Sequence, residues 1–287
     1  MSDKRLAAKR IWIYVLFSCG IFWILAGLCD LLGILQDDAG FQLVSALGML
    51  TPAIGSLLTR LVTKEGIENS LLRLNLKGNV RYYVLAFVIP LIYSALEVAL
   101  YAAILGARFD PAAFLRSAGI SPLGYIAALL FNIAMSAALF PFFLGEELGW
   151  RGYLYPKLRA VTGRPAAYVI GGIVWGIWHF PAIIDGLNFG KDYSGYPYVG
   201  VLLMCIYCVF TGIIFAWLTE KTNSVFPAAF AHAVNNNATS LIIGTAELDT
   251  DKSGAPTVFL VGTLAVGAIA AICAVSSFFP ALRDRKK

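Results

Sequence analysis

Two adjacent carboxylates and an arginine, in Gly145-Glu146-Glu147-Leu148-Gly149-Trp150-Arg151, follow directly on the almost wholly apolar run 131–144. The chain's two histidines, His179 and His232, lie in apolar runs as well, and Asn235-Asn236-Asn237 follows the second. Ionisable groups beside hydrocarbon are expensive, so such positions point to function. Helical spacing divides the roles. Glu147 and Arg151 stand at i and i+4 on one helix face and can neutralise each other. Glu146 is turned about 100° away, free of that partner. A free, desolvated carboxylate suits a general base acting near neutral pH. His232 and Asn236 also stand at i and i+4, an imidazole and a carboxamide on one face that could donate to an oxyanion.

These groups need a scaffold, and composition limits what it can be. Of the 287 residues, 59% are hydrophobic and 14% charged, where a soluble domain averages about 25% charged. That much apolar surface requires a polytopic membrane protein. Apolar windows of about 20 residues give eight expected spans, at 11–35, 41–62, 82–105, 122–145, 166–184, 199–218, 225–244 and 257–282. No segment alternates with period two, so the fold class is an all-α helical bundle rather than a barrel. It divides into N-terminal spans over 1–121, a core over 122–244, and a last span with a basic tail over 245–287. Of the 22 Lys and Arg residues, 18 fall on one side of this layout, which places both termini in the cytoplasm. The acidic loops, Asp37-Asp38 and Glu247-Leu248-Asp249-Thr250-Asp251, fall on the other side. The net charge of +5 sits at the ends of apolar runs, where its partner is membrane lipid and not nucleic acid.

A hairpin argument brings His179 to Glu146. The turn 161–165 contains Gly163 and Pro165, and the two residues lie about sixteen and seventeen positions either side of its centre. At ~1.5 Å per residue both stand ~25 Å from the turn, at one height. Gly172 and Gly176 let a partner helix come close, and Pro181 bends the span just past the histidine. Each group alone has a plainer reading: a packing histidine, a salt bridge capping a span, a polar patch. Their coincidence favours a site. Asp30 and Glu97 are isolated acids, read as interfacial or packing residues. Segment 67–77 suits a short interfacial helix or a plain loop. The five cysteines, Cys205-x-x-Cys208 included, read as small buried hydrophobes.

The three motifs resemble those of the CPBP intramembrane proteases, the Abi or type II CAAX prenyl endopeptidase family. That pattern is Glu-Glu-x-x-x-Arg, Phe-x-x-x-His and His-x-x-x-Asn/Asp. The first matches at Glu146, Glu147 and Arg151, and the third at His232 and Asn236. The second departs, with Trp175 in place of phenylalanine before His179. The resemblance covers 122–244. It implies an endopeptidase in which Glu146, helped by His179, activates water. His232 and Asn236 would stabilise the oxyanion, and Glu147 with Arg151 would hold the first helix. Implied substrates are membrane-associated or lipidated peptides and protein C-termini, with the site opening to the cytoplasmic side. Glu146, His179 and His232 could supply ligands to Zn²⁺, but they equally suit a metal-free glutamate mechanism, which the lack of an i, i+4 His/Glu ligand pair favours slightly. Two other readings use the same residues: a proton-coupled transporter, or a non-catalytic immunity or scaffold protein.

Overall fold

Proline sets where the helices begin. Eight of them carry proline at their first or second position, where the missing N–H costs nothing. The same residue ends a preceding helix, because it removes an i→i−4 bond and crowds the carbonyl there. A computed structural model of the chain describes residues 3–248 and 254–278. The helices are α1 Asp3–Leu31, α2 Asp38–Gly48, α3 Thr51–Val62, α4 Val80–Leu105, α5 Pro111–Ser117, α6 Pro122–Ala138 and α7 Phe140–Gly149. A π-helical turn, Trp150–Leu154, leads into α8 Tyr155–Thr162. Then come α9 Arg164–Trp178, α10 Phe180–Ile184, α11 Tyr198–Thr222, α12 Phe226–Ile243 and α13 Ala255–Phe278. Among the described residues the strands are two-residue pieces, Arg108–Phe109 paired antiparallel with Ala246–Glu247. The protein is an all-α, multi-pass integral membrane protein.

Five helical stretches are long and apolar enough to cross a bilayer, namely Lys4–Leu31, Asp38–Val62, Val80–Leu105, Tyr198–Thr222 and Ala255–Ser277. They coincide with five of the eight expected spans. The other three are the helices that carry the polar groups. The expected fourth span is cut at Leu139, where Pro141 opens α7, and α5 with α6 form a pair bent by 83°. The fifth stops at Trp178, and Pro181 opens α10 immediately after His179. The seventh, α12, carries His232 and three asparagines. Segment 67–77 is a loop rather than an interfacial helix. The Leu71 carbonyl accepts from Val225 N and the Asn75 side chain donates to Thr222 O, so the segment is tied to the α11–α12 turn. Of the acidic loop, Asp249 and Asp251 lie outside the described residues, as does the C-terminal basic tail.

Helix α11 is the central post: half of its apolar window is buried, against 22% for α1. Its contact with α9 depends on Gly172 and Gly176, where an added Cβ would come within 2.4 Å of Val209 Cα and 2.5 Å of Cys205 Cα. The α8–α9 turn falls where expected, with Gly163 at φ 85°, a conformation open to glycine.

The basic helix ends form one face. Glu65 receives Lys157 at 2.6 Å, Arg10 at 3.3 Å and Arg60 at 3.9 Å, tying α1, α3 and α8. Glu220 likewise holds Arg159 at 2.7 Å and Arg164 at 3.2 Å. Burial raises the Glu65 carboxyl, but Lys157, Tyr153 and Arg10 outweigh it and hold the group below the ordinary glutamate value. A depressed folded value contributes stability above the unfolded pKa and loses it as pH falls through the folded one. Thermal stability in detergent should therefore fall on acidification below about pH 4. Glu65→Gln should flatten that limb, and an unchanged limb would remove the cluster from the account.

Candidate active site

The α7 helix brings Glu146 and Glu147 into the bundle, 2% and 0% exposed. Gly149 makes this possible, since a Cβ there would meet Pro52 Cβ at 2.4 Å and its backbone carbon at 2.5 Å. Glu147 Oε1 accepts from Arg151 at 2.9 Å, the expected i, i+4 pair. The π turn that carries Arg151 closes with Tyr155 N donating to Trp150 O. Wide turns of this kind recur at functional sites. It also precedes Pro156, which has no N–H to return to an ordinary helical turn.

Glu146 is not free. Its Oε2 accepts both the Trp175 indole N–H at 2.9 Å and the Trp150 indole N–H at 3.2 Å. Residue spacing alone shows only that Glu146 avoids Arg151. Which side chains fill the other side depends on how α9 packs, and α9 supplies an indole. Trp175 is thus the hub of the cluster. Its carbonyl faces His179 Nδ1 at 2.9 Å, and its ring meets His232 edge-on at 5.4 Å. The Arg151 guanidinium lies 4.2 Å above the same ring, a cation–π contact worth more when desolvated.

Partners assign the tautomers. A carbonyl oxygen only accepts, so His179 Nδ1 carries the proton and Nε2 is left as an acceptor. His232 Nδ1 faces Glu147 Oε1 at 3.0 Å and donates to it. Its Nε2 is an acceptor in the neutral ring and a donor in the imidazolium, with a carboxylate already behind it. Asn236 Oδ1 accepts from Asn235 Nδ2 at 2.8 Å, which leaves the Asn236 Nδ2 hydrogens for a ligand. Asn235 in turn accepts from the Tyr93 and Tyr207 hydroxyls.

His179, His232 and Asn236 line one cavity of about 450 Å³, with Trp175, Glu97 and Tyr207 among its other walls. Glu146 is not in that lining. It sits one layer behind, in contact with the wall through Trp175. Glu97, read from the sequence as an isolated packing acid, is 6% exposed and faces the cavity with no hydrogen-bond or ion-pair partner among the described residues. An α4 stripe of Tyr93, Glu97 and Tyr101 at i, i+4, i+8 was the available signal. Gly262 of α13 leaves room for it, since a Cβ there would lie 2.6 Å from Tyr101 Oη and 3.4 Å from Glu97 Cδ. Asp30, by contrast, is exposed at the loop end of α1. The five cysteines are all free thiols, and four are buried.

Among the described residues no three His, Cys, Asp or Glu side chains converge on a point where they could hold a metal ion. The residues do not fit a three-ligand zinc site, and no step below is routed through one.

Residues 126–238 match the family described as type II CAAX prenyl endopeptidase Rce1-like. The chain is also 28% identical over 110 residues to CAAX prenyl protease 2 of Methanococcus maripaludis, covering 38% of this chain. It spans about two fifths of that relative's length (41%). The family match takes in all three motifs and the helices that carry them, and over this stretch the chain is similar to the type II CAAX prenyl endopeptidase-like membrane proteins of the CPBP family.

Proposed function

We propose that this protein is an intramembrane endopeptidase that hydrolyses a peptide bond with water activated by Glu146 and His179. The observation that carries the reading is the arrangement around Trp175, which joins a buried carboxylate to two imidazoles on the wall of a polar cavity. His179 lines the cavity with Nε2 left as an acceptor, and Glu146 sits one layer behind, joined to this wall through Trp175. His232 as imidazolium and the Asn236 amide would donate to the oxyanion as the carbonyl becomes tetrahedral. The proton taken from water then passes to the leaving amine. Glu147 and Arg151 fix the helix and hold the His232 ring.

The substrate is a peptide or a lipidated protein C-terminus in the membrane, the class that the name of the Methanococcus relative carries. The test is to incubate the purified protein in detergent with farnesylated and unlipidated peptides, with and without chelator, and to read products by mass spectrometry. Cleavage at one bond, lost in His179→Ala, is expected. No product from any peptide, with gradient-driven uptake in liposomes, would replace the reading by a transporter.

Trp175→Phe isolates what the indole adds. Phenylalanine is the residue of the family pattern, so the ring packing survives while the N–H bond to Glu146 is lost. A hydrogen bond to a charged group is worth about 1.5–3 kcal/mol, so kcat should fall about tenfold or more with KM unchanged. An unaltered kcat would show that Trp150 alone holds the carboxylate.

A further inference from the structure

The proposed chemistry leaves one charged group of the cavity without a task. Among the described residues that line it, Glu97 is the only acid, and none is a lysine or an arginine. The side chain is 6% exposed and has no hydrogen-bond or ion-pair partner among the described residues. A carboxylate taken out of water with nothing to neutralise it is costly, and a glutamine or leucine would fill the same place without that cost. Tyr101, one turn along α4 and 4% exposed, lines the same space, since i and i+4 share a helix face. On α13, Gly262 keeps the space beside the carboxyl open, where a Cβ would lie 3.5 Å from Glu97 Oε1. The hydroxyls of Tyr93 and Tyr207 are both given to Asn235 Oδ1 and do not serve the acid.

Helix register sets the distance from the reacting groups. Because Tyr93 bonds Asn235, these two residues stand at one level of α4 and α12. Further along, Val98 and Tyr101 cluster with Ile242, Ile243 and Ala246, so the two helices run in the same direction. Asn235 stands three residues beyond His232, and Glu97 four beyond Tyr93. At ~1.5 Å per residue, Glu97 lies ~10 Å along the bundle from the level of His232. That span is about three residues of extended peptide. The carboxyl is therefore placed to meet a side chain near the scissile bond and not the bond itself.

We infer that Glu97 is a specificity subsite for a cationic side chain of the peptide, a lysine ammonium or an arginine guanidinium, about three residues from the bond that is cleaved. The peptide brings the counter-charge that the cavity lacks, and its N–H donors meet the Glu97 carboxylate and the Tyr101 hydroxyl oxygen. Hydrogen bonds between charged partners are stronger than neutral ones, more so away from water. The inference rests on the hydrolase reading for its substrate and deepens it. It holds for lipidated and unlipidated peptides alike, since Glu97 reads a side chain and not a lipid. A protonated Glu97 donating to a peptide carbonyl is the competing use of the same residue, and it would give no preference for a cation.

The experiment uses the full chain in a non-ionic detergent and fluorescent farnesylated peptides. Lysine or its uncharged counterpart norleucine is placed in turn at each of the four residues on either side of the lipidated cysteine. Binding is read by fluorescence anisotropy and cleavage by mass spectrometry. At one position the lysine peptide should bind about tenfold or more tightly than the norleucine peptide, with KM lowered to match and kcat little changed. In Glu97→Gln the ratio between the two should fall to about one. Equal binding of the two peptides at every position would overturn the inference, as would a lysine preference that survives in Glu97→Gln or the binding of no peptide at all. The comparison on the parent chain needs no variant to fold, and the anisotropy needs no turnover. A lysine preference without product would keep the subsite and remove the hydrolase reading, whereas cleavage of both peptides with equal affinity would do the reverse.

Discussion

Glu146→Gln is expected to lower turnover about 10²–10⁴-fold, the contribution usual for acid–base catalysis, because the carboxylate behind the cavity wall is lost, while the protein still inserts and folds. Both indole bonds go to a single oxygen, Oε2. A glutamine can place its carbonyl oxygen there and keep both donors, so packing around Trp150 and Trp175 is preserved. Replacing a buried charge by a neutral amide also removes a desolvation cost. Thermal unfolding in detergent should therefore be unchanged or slightly raised while product formation, read by mass spectrometry, nearly disappears. His179→Ala should fall as far, because its Nε2 is the acceptor on the cavity wall. Turnover near that of the parent in Glu146→Gln would remove the carboxylate from the chemistry and leave it a packing role between two tryptophans.

The second large effect is on stability. Arg151→Met strips the cation from a pair in which Arg151 is 4% and Glu147 0% exposed. Glu147 keeps His232 as partner, but its Oε2 already has no hydrogen bond. Removing one member of a buried pair leaves an uncompensated charge and costs about 3–5 kcal/mol, a large part of a total stability of about 5–15 kcal/mol. The guanidinium also lies over the Trp175 and Phe215 rings, at 4.2 and 5.1 Å, so the hub of the site would loosen with it. Midpoints of thermal unfolding for Arg151→Met, Glu147→Gln and the double variant form a cycle. The double variant should recover most of the loss, since two apolar or neutral groups in place of a buried pair are often tolerated. If the double is as unstable as the arginine variant alone, the cost lies in packing and not in the orphaned charge.

Much of the site is local in sequence. The Glu147–Arg151 pair, the shared face of His232 and Asn236, and the α8–α9 turn at Gly163 each depend on a few residues of one helix or one turn. Helical geometry settles such relations before any tertiary contact forms. The apolar composition settles the class just as directly, since only a bilayer can accommodate that surface. Eight windows of hydropathy could be seen, and so could the bend at Pro181, but not the break that cuts the fourth at Leu139. A sliding window averages over Pro141, whose effect is to break hydrogen bonds at single residues.

What lies beyond one helix could not be read this way. Glu146 was separable from Arg151 by spacing, but the Trp175 indole that holds it, 29 residues on, is brought in by how α9 packs against α7. Glu97 looked solitary because its neighbours, on α12 and α13, are more than 130 residues away in sequence. Local hydrogen bonding and hydropathy determined which groups exist, on what kind of helix, and which of them share a face. Close packing across distant helices alone decided which groups meet, because sequence spacing carries no information about a neighbour brought in from elsewhere in the chain.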